Sequence, residues 1–381
     1  MELNPIEICY RRLRDAGREP IKLTVGNPTL QGIAFPPHLL QQAYDSRALT
    51  SPYDPDPKGG LEARQAIVDQ YRAQGYELVP EQILLTSGTS EAFFFLFSLL
   101  GEPGDHFLVP YPSYPLFEHL AQYARVSLKP YTLLEDRNWS WDWKQMARQV
   151  DDRTRGIVVI SPHNPTGKVL NKKEWEDLAH FAAEQDLPLI CDEVFSDFYF
   201  GEGAFPRGLR HAENLCFTLN GISKSLALPG HKLGWIIVSG PETKRQGALD
   251  SLELMADTFL TCNQPVQGAL PVLLGQSGKF RAEYFREVSR RRDLALARLA
   301  KIPQIKLVSP QGGFYLMASF EDPQGRGEEK WVLEFMEKTG YLVYPGYFFD
   351  HGSDRHFILS FLTHPDRLEP GLQALERFLA S

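Results

Sequence analysis

A chain of 381 residues, 43% of them hydrophobic, can bury a substantial core in one large domain or two of ordinary size. The formal net charge of −8 argues against a general nucleic-acid binder, which would ordinarily be basic. The scattered Cys9, Cys191, Cys216 and Cys262 form no CxxC pair, residues 1–14 carry Glu2 and Glu7 without a signal peptide's apolar stretch, and the apolar run 92–100 is too short to span a bilayer; together these point to a cytoplasmic protein with reduced thiols, no metal site and no membrane partner.

In chain order, short apolar runs alternate with longer amphipathic segments, the pattern of an α/β fold with a mostly parallel sheet flanked by helices. A strand is predicted over 82–86. It runs into Ser87-Gly88-Thr89-Ser90-Glu91 and a helix over 91–100. Glycine and small hydroxyls let a backbone turn approach an anion, and the helix start adds free N–H groups. An ordinary capped helix start would read the same way. After a strand over 106–109 comes Pro110-Tyr111-Pro112-Ser113-Tyr114-Pro115, where Tyr114 is a candidate to stack on a planar ring or an ordinary rim tyrosine.

The strand predicted over 156–161 leads into Ser161-Pro162-His163-Asn164-Pro165-Thr166-Gly167. Pro162 and Pro165 stiffen the backbone around Asn164, so its amide can be aimed; the alternative is a plain Asn-Pro turn. A helix over 172–185 follows, then a strand over 187–192 that ends on Asp192. A carboxylate ending a buried strand costs free energy unless something cationic meets it: a pyridinium, an arginine or a helix cap. After a strand over 216–219, Lys224 lies in the nearly uncharged Asn220-Gly221-Ile222-Ser223-Lys224-Ser225. There desolvation would lower its pKa and make it a nucleophile toward an aldehyde. A further strand covers 234–239. The last third reads as a smaller α+β domain, with helices over 281–300 and 367–379 and extended segments near 313–319 and 357–361.

Phosphate cup, stacking aromatic, aimed amide, buried carboxylate and reactive lysine together describe one ligand, a phosphorylated pyridine aldehyde. Asn164-Pro165-Thr166-Gly167, Asp192-Glu193-Val194-Phe195 and Ser223-Lys224, at these separations, resemble the class I/II aminotransferases of pyridoxal-phosphate fold type I. The likeness runs from Gly26-Asn27-Pro28 to Leu359-Ser360-Phe361. It implies a PLP-transferase fold type I, with an N-terminal arm and part of the small domain over 1–47. The large cofactor-binding domain would cover 48–280 and the C-terminal small domain 281–381. It implies pyridoxal 5′-phosphate as cofactor, a Schiff base on Lys224 and Asp192 holding the ring nitrogen's proton. It implies Asn164 on the ring oxygen, Tyr114 on the ring face, and Gly88, Thr89 and Ser90 on the phosphate. Gly26 would lie near the substrate carboxylate, and Tyr53 would reach the phosphate of a second subunit in a homodimer. The substrates implied are an amino acid and a 2-oxo acid.

Four positions depart from the family. Phe195 replaces a tyrosine that donates to the ring oxygen, and Gly221 replaces a phosphate-binding serine. Lys232 replaces an arginine on the phosphate, supplying charge without the bidentate fork, with Ser223 and Ser225 as compensating donors. Ile358 stands where an arginine binds the substrate carboxylate. Arg355, three residues upstream, is the candidate substitute; otherwise it is a surface arginine. This last departure keeps open elimination, replacement or decarboxylation on the same cofactor, since fold does not settle reaction. A non-catalytic, regulatory pyridoxal-phosphate domain is a further alternative, disfavoured by the intact Lys224.

Overall fold

The computed structural model describes residues 4–50, 52–260 and 262–380, so the first three residues of the expected N-terminal arm lie outside it. Its strands are β1 Ile21–Lys22, β2 Ile83–Thr86, β3 His106–Tyr111, β4 Ser127–Leu134, β5 Ser140–Trp141, β6 Thr154–Ile160 and β7 Leu189–Asp192. They continue with β8 Cys216–Gly221, β9 Gly234–Ser239, β10 Ile305–Leu307, β11 Tyr315–Phe320, β12 Tyr341–Leu342, β13 Tyr344–Pro345 and β14 His356–Ser360.

Eight strands form the central sheet in the order β2-β9-β8-β7-β6-β3-β4-β5. The pairs β8·β7, β7·β6, β6·β3 and β3·β4 are parallel, whereas β9 runs antiparallel to both β2 and β8. The inner strands are apolar on both faces because helices cover both. Leu84, Val158, Ile190, Phe217 and Ile236 pack on one side with the apolar helix Thr89–Leu100. Ile157, Val159, Leu189 and Cys191 pack on the other with the helix Lys172–Glu184. That second helix starts where the sequence suggests: Asn171 and Glu174 exchange side-chain-to-backbone hydrogen bonds of 3.0 and 2.8 Å. Its buried Trp175, Leu178, Ala179 and Ala182 recur at helical spacing.

A second sheet, β10-β11-β14-β13, is antiparallel and carries the C-terminal helix Pro365–Ala380. The N-terminal segment joins this end of the chain: β1 pairs in parallel with β12, and Arg18 donates to the Glu337 carbonyl at 3.0 Å. Strand β4 was not expected. Lys129 and Pro130 interrupt its pattern, and half-exposed residues blur the alternation that would mark a strand. No helix among the described residues is long and apolar enough to cross a membrane.

Strands β2, β3, β6, β7 and β8 run in the same direction, so their carboxyl ends share one edge of the sheet. The loops after Thr86, Tyr111, Ile160, Asp192 and Gly221 therefore gather there. This is the edge where open parallel sheets bind ligands.

Candidate active site

Backbone-to-backbone packing of glycines brings two of these loops together. Gly234 pairs with both Thr86 and Gly221. A Cβ at Gly234 would stand 2.9 Å from the Gly88 Cα and 3.0 Å from the Asn220 carbonyl oxygen. Gly88 itself has φ 141°, a conformation that strains any L side chain. The start of the helix Thr89–Leu100 is thereby held beside the turn Ile222–Ser225. The Thr86 hydroxyl donates to the Gly88 carbonyl at 3.1 Å, and Ser87 N–H to Glu91 at 2.7 Å. The hydroxyls of Thr89, Ser90 and Ser223 have no hydrogen-bond partner among the described residues, whereas that of Ser225 is committed to the Gly221 carbonyl at 2.9 Å. Of the two serines expected to compensate for Gly221, only Ser223 is free to do so. Lys232 is exposed, sits at φ 52° and makes no ion pair among the described residues.

Lys224 lies within this turn. Its Nζ donates to the Gly26 carbonyl at 3.2 Å and lies 5.9 Å from the Phe195 ring centroid. Burial pushes its pKa down, and Asp192 opposes the shift. Asp192 ends β7, is 9% exposed and accepts from Val194 N–H at 3.1 Å. Burial pushes its carboxyl up to about 7, against the Val194 bond and Lys224. It has no ion-pair partner among the described residues. Asn164 presents a buried Oδ1 without a partner. Neighbouring His163 is held neutral by burial, its pKa lowered to about 3, with Nδ1 2.9 Å from the Thr166 hydroxyl. Tyr114 is 39% exposed, edge-on to Phe117, and its hydroxyl is influenced by Asp192.

One supporting network was not legible in the sequence. Glu193, next to Asp192, forms a fully buried ion pair with Arg207 and accepts from Gly208 N–H at 3.3 Å. Arg207 also donates to Gln74 at 2.8 Å and lies over the Tyr71 ring at 4.7 Å. Ser196 accepts from both Arg207 and Asn220. The network ties the end of β7 to the end of β8, four residues before Lys224. The only sequence signal was a second acid in a buried run.

Two predicted residues are not brought to Lys224. Tyr53 is 74% exposed and lines a separate cavity of about 510 Å³ with Gln264 and Leu260. Arg355 is exposed and lies beyond the start of β14, its carbonyl accepting from Phe320 at the far end of β11. At about 3.4 Å per residue, that is roughly 17 Å from the Ser360–Tyr315 pair. The Tyr315 end is the one that reaches the site: a Cβ at Gly26 would stand 1.9 Å from the Tyr315 hydroxyl. Ile358 is fully buried, opposite Met317 and Tyr344.

Residues 18–373 match the family described as aminotransferase class I and II. The chain is 29% identical to the glutamate-pyruvate aminotransferase AlaA of Escherichia coli (strain K12), covering 99% of each. It is 28% identical to an alanine aminotransferase of Mycobacterium tuberculosis, covering 99% of this chain and 89% of that one. Its fold superposes on the alanine aminotransferase of Pyrococcus furiosus with a TM-score of 0.90 at 29% identity, covering 98% and 96% of the two chains.

Proposed function

The chain belongs to the class I and II aminotransferases, and from that premise we propose that it works with pyridoxal 5′-phosphate bound to Lys224. It is an aminotransferase, moving an amino group between an amino acid and a 2-oxo acid. The observation that carries the cofactor reading is Asp192, a buried carboxylate without an ion-pair partner among the described residues, beside a desolvated lysine. A ring nitrogen that takes up a proton supplies the missing cation. The orphaned Asn164 Oδ1 and the unpartnered hydroxyls of Thr89, Ser90 and Ser223 also fit a phosphorylated pyridine.

When bound, pyridoxal phosphate supplies a carbonyl that captures amines and a ring that withdraws electrons from the substrate's α-carbon. The protein does the rest. Lys224 Nζ, its pKa lowered by burial, would be the nucleophile toward that carbonyl and would take and return the substrate's α-proton. Asp192 would hold a proton on the ring nitrogen. Asn164 would orient the ring through its oxygen substituent without help from Phe195, which has no hydroxyl and packs on Phe314 at 5.0 Å. Tyr114 would cover the ring face. Gly88, Thr89, Ser90 and Ser223 offer donors to the phosphate, with Lys232 as its cation. Tyr53 serves a second copy in a homodimer; its exposure, with exposed Leu260 lining the same cavity, supports that reading.

The test is a half-reaction. Glutamate and alanine are the first donors to try and pyruvate the first acceptor, after the relatives' names. A donor should convert the cofactor's absorbance from the pyridoxal to the pyridoxamine form, and the 2-oxo acid should reverse it. Release of 2-oxo acid without pyridoxamine would identify a lyase instead. Borohydride reduction should label Lys224, and Lys224→Ala should abolish covalent attachment while the fold is kept. Label on another lysine refutes the assignment.

A further inference from the structure

Both substrates of an aminotransferase carry a carboxylate beside the reacting carbon, and burying that anion without a partner is costly. Arginine is the ordinary partner, yet among the described residues none is available around Lys224. Ile358 is apolar and buried, and Arg355 lies at the far end of its strand. Arg291, though buried, is committed to Glu287 at 2.7 Å and to the Gln31 carbonyl at 3.0 Å. The charges that shift Asp192, Lys224 and Tyr114 are those of Glu193, Lys224 and Asp192.

Hydroxyls stand there instead. In the small sheet, Tyr344, Ile358 and Met317 lie side by side across β13, β14 and β11, with Tyr315 and Ser360 one pleat further on the same face. The Tyr315 hydroxyl rests against Gly26, whose carbonyl holds Lys224. It makes no hydrogen bond among the described residues. Tyr344 lies close enough to bear on the ionisation of both Tyr114 and Tyr315, and Tyr114 on that of Tyr315.

We propose that the Tyr315 hydroxyl, with Tyr344 beside it, hydrogen-bonds the carboxylate of the amino-acid and 2-oxo acid substrates, so that neutral donors do the work of an arginine. Burial and the neighbouring tyrosines push the Tyr315 pKa up, so the hydroxyl stays a donor throughout the working pH range. Recognition then rests on geometry rather than on a salt-sensitive ion pair.

The inference rests on the aminotransferase reading, and its experiment separates the two. Single-turnover half-reactions compare wild type, Tyr315→Phe and Tyr344→Phe with alanine, with pyruvate, and with isopropylamine, which lacks the carboxylate. Tyr315→Phe keeps the ring and its packing. It should raise the half-saturation concentration for alanine and pyruvate about 10- to 100-fold, the range for losing a hydrogen bond to a charged group, and leave isopropylamine unchanged. Tyr344→Phe should act in the same direction more weakly. Unchanged alanine and pyruvate values overturn the proposal, as does an equal loss on isopropylamine, which would mark Tyr315 as purely structural. A wild type inert to every amino donor overturns the parent reading, and this inference with it; an active wild type beside an unaffected Tyr315→Phe overturns this inference alone.

Discussion

Replacing Arg207 with methionine removes the cation that neutralises Glu193 at the end of β7. Both side chains are buried, 2% and 0% exposed, so water cannot take over the lost contacts. Methionine keeps much of the aliphatic volume, which makes the change mainly electrostatic. Removing one partner of a buried pair costs about 3–5 kcal/mol. Loss of the guanidinium over Tyr71, a contact worth about 0.5–2 kcal/mol, overlaps with the first effect and is not summed with it. A cost near 4 kcal/mol is a large share of the roughly 5–15 kcal/mol by which proteins of this kind are stable. Glu193 supplies a second signature. Burial already raises its carboxyl pKa, with Arg207 opposing, so the variant's carboxyl should rise further. A folded-state pKa above the unfolded one gives stability that is present in acid and lost as pH rises through the folded value. The deficit should therefore be smaller at about pH 5 than at about pH 8, conditions that bracket a strongly raised carboxyl. Urea unfolding of wild type and variant at both pH values measures it. The double variant Arg207→Met/Glu193→Leu should recover most of the loss, because a buried pair exchanged for apolar groups is nearly neutral. A deficit under about 1 kcal/mol, the surface-pair range, or one insensitive to pH, would refute the reasoning.

Asp192→Asn should lower turnover by on the order of 10²–10⁴-fold, the range for a key proton-controlling group; near wild-type rates would make Asp192 merely structural. Without cofactor, the same variant should be more stable than wild type above neutrality. Asp192, with its folded pKa raised to about 7, is destabilising once ionised, so melting curves across pH should show the advantage vanish in acid. Gly234→Ala presses a Cβ onto two backbone atoms that cannot swing away. It should weaken pyridoxal phosphate retention and cost about 1–3 kcal/mol; wild-type retention on dialysis would mean the glycine contact does not shape the phosphate cup. Arg355→Ala should leave KM for amino acids within about twofold, as expected of a surface position. A steep rise would bring Arg355 back to the site.

The chemistry-bearing loops were legible because each is a local signal. A run such as 187–192 is apolar on both faces and ends on a charge, and that marks both a buried strand and the position of Asp192. Ser87-Gly88-Thr89 lies between a strand and an apolar helix, and Lys224 stands out by the lack of charge around it. Six buried strands and the helices beside them were expected within a few residues of where they form. Strand β4 escaped because a half-exposed segment with a proline carries no clear period.

What composition and motif determined, then, is which side chains carry the chemistry and that parallel strands would line them up along one edge. What the tertiary structure decided is which distant residues meet them. The contact of Gly88 with Gly234 follows from sheet order, and the pairing of Arg207 with Glu193 and Gln74 follows from the packing of loops. The approach of Tyr315 to Gly26, and the exclusion of Arg355, follow from the register of β11 on β14. Register is set by cooperative packing along whole strands, and sliding a strand by one residue turns every side chain to the opposite face. No local pattern encodes it.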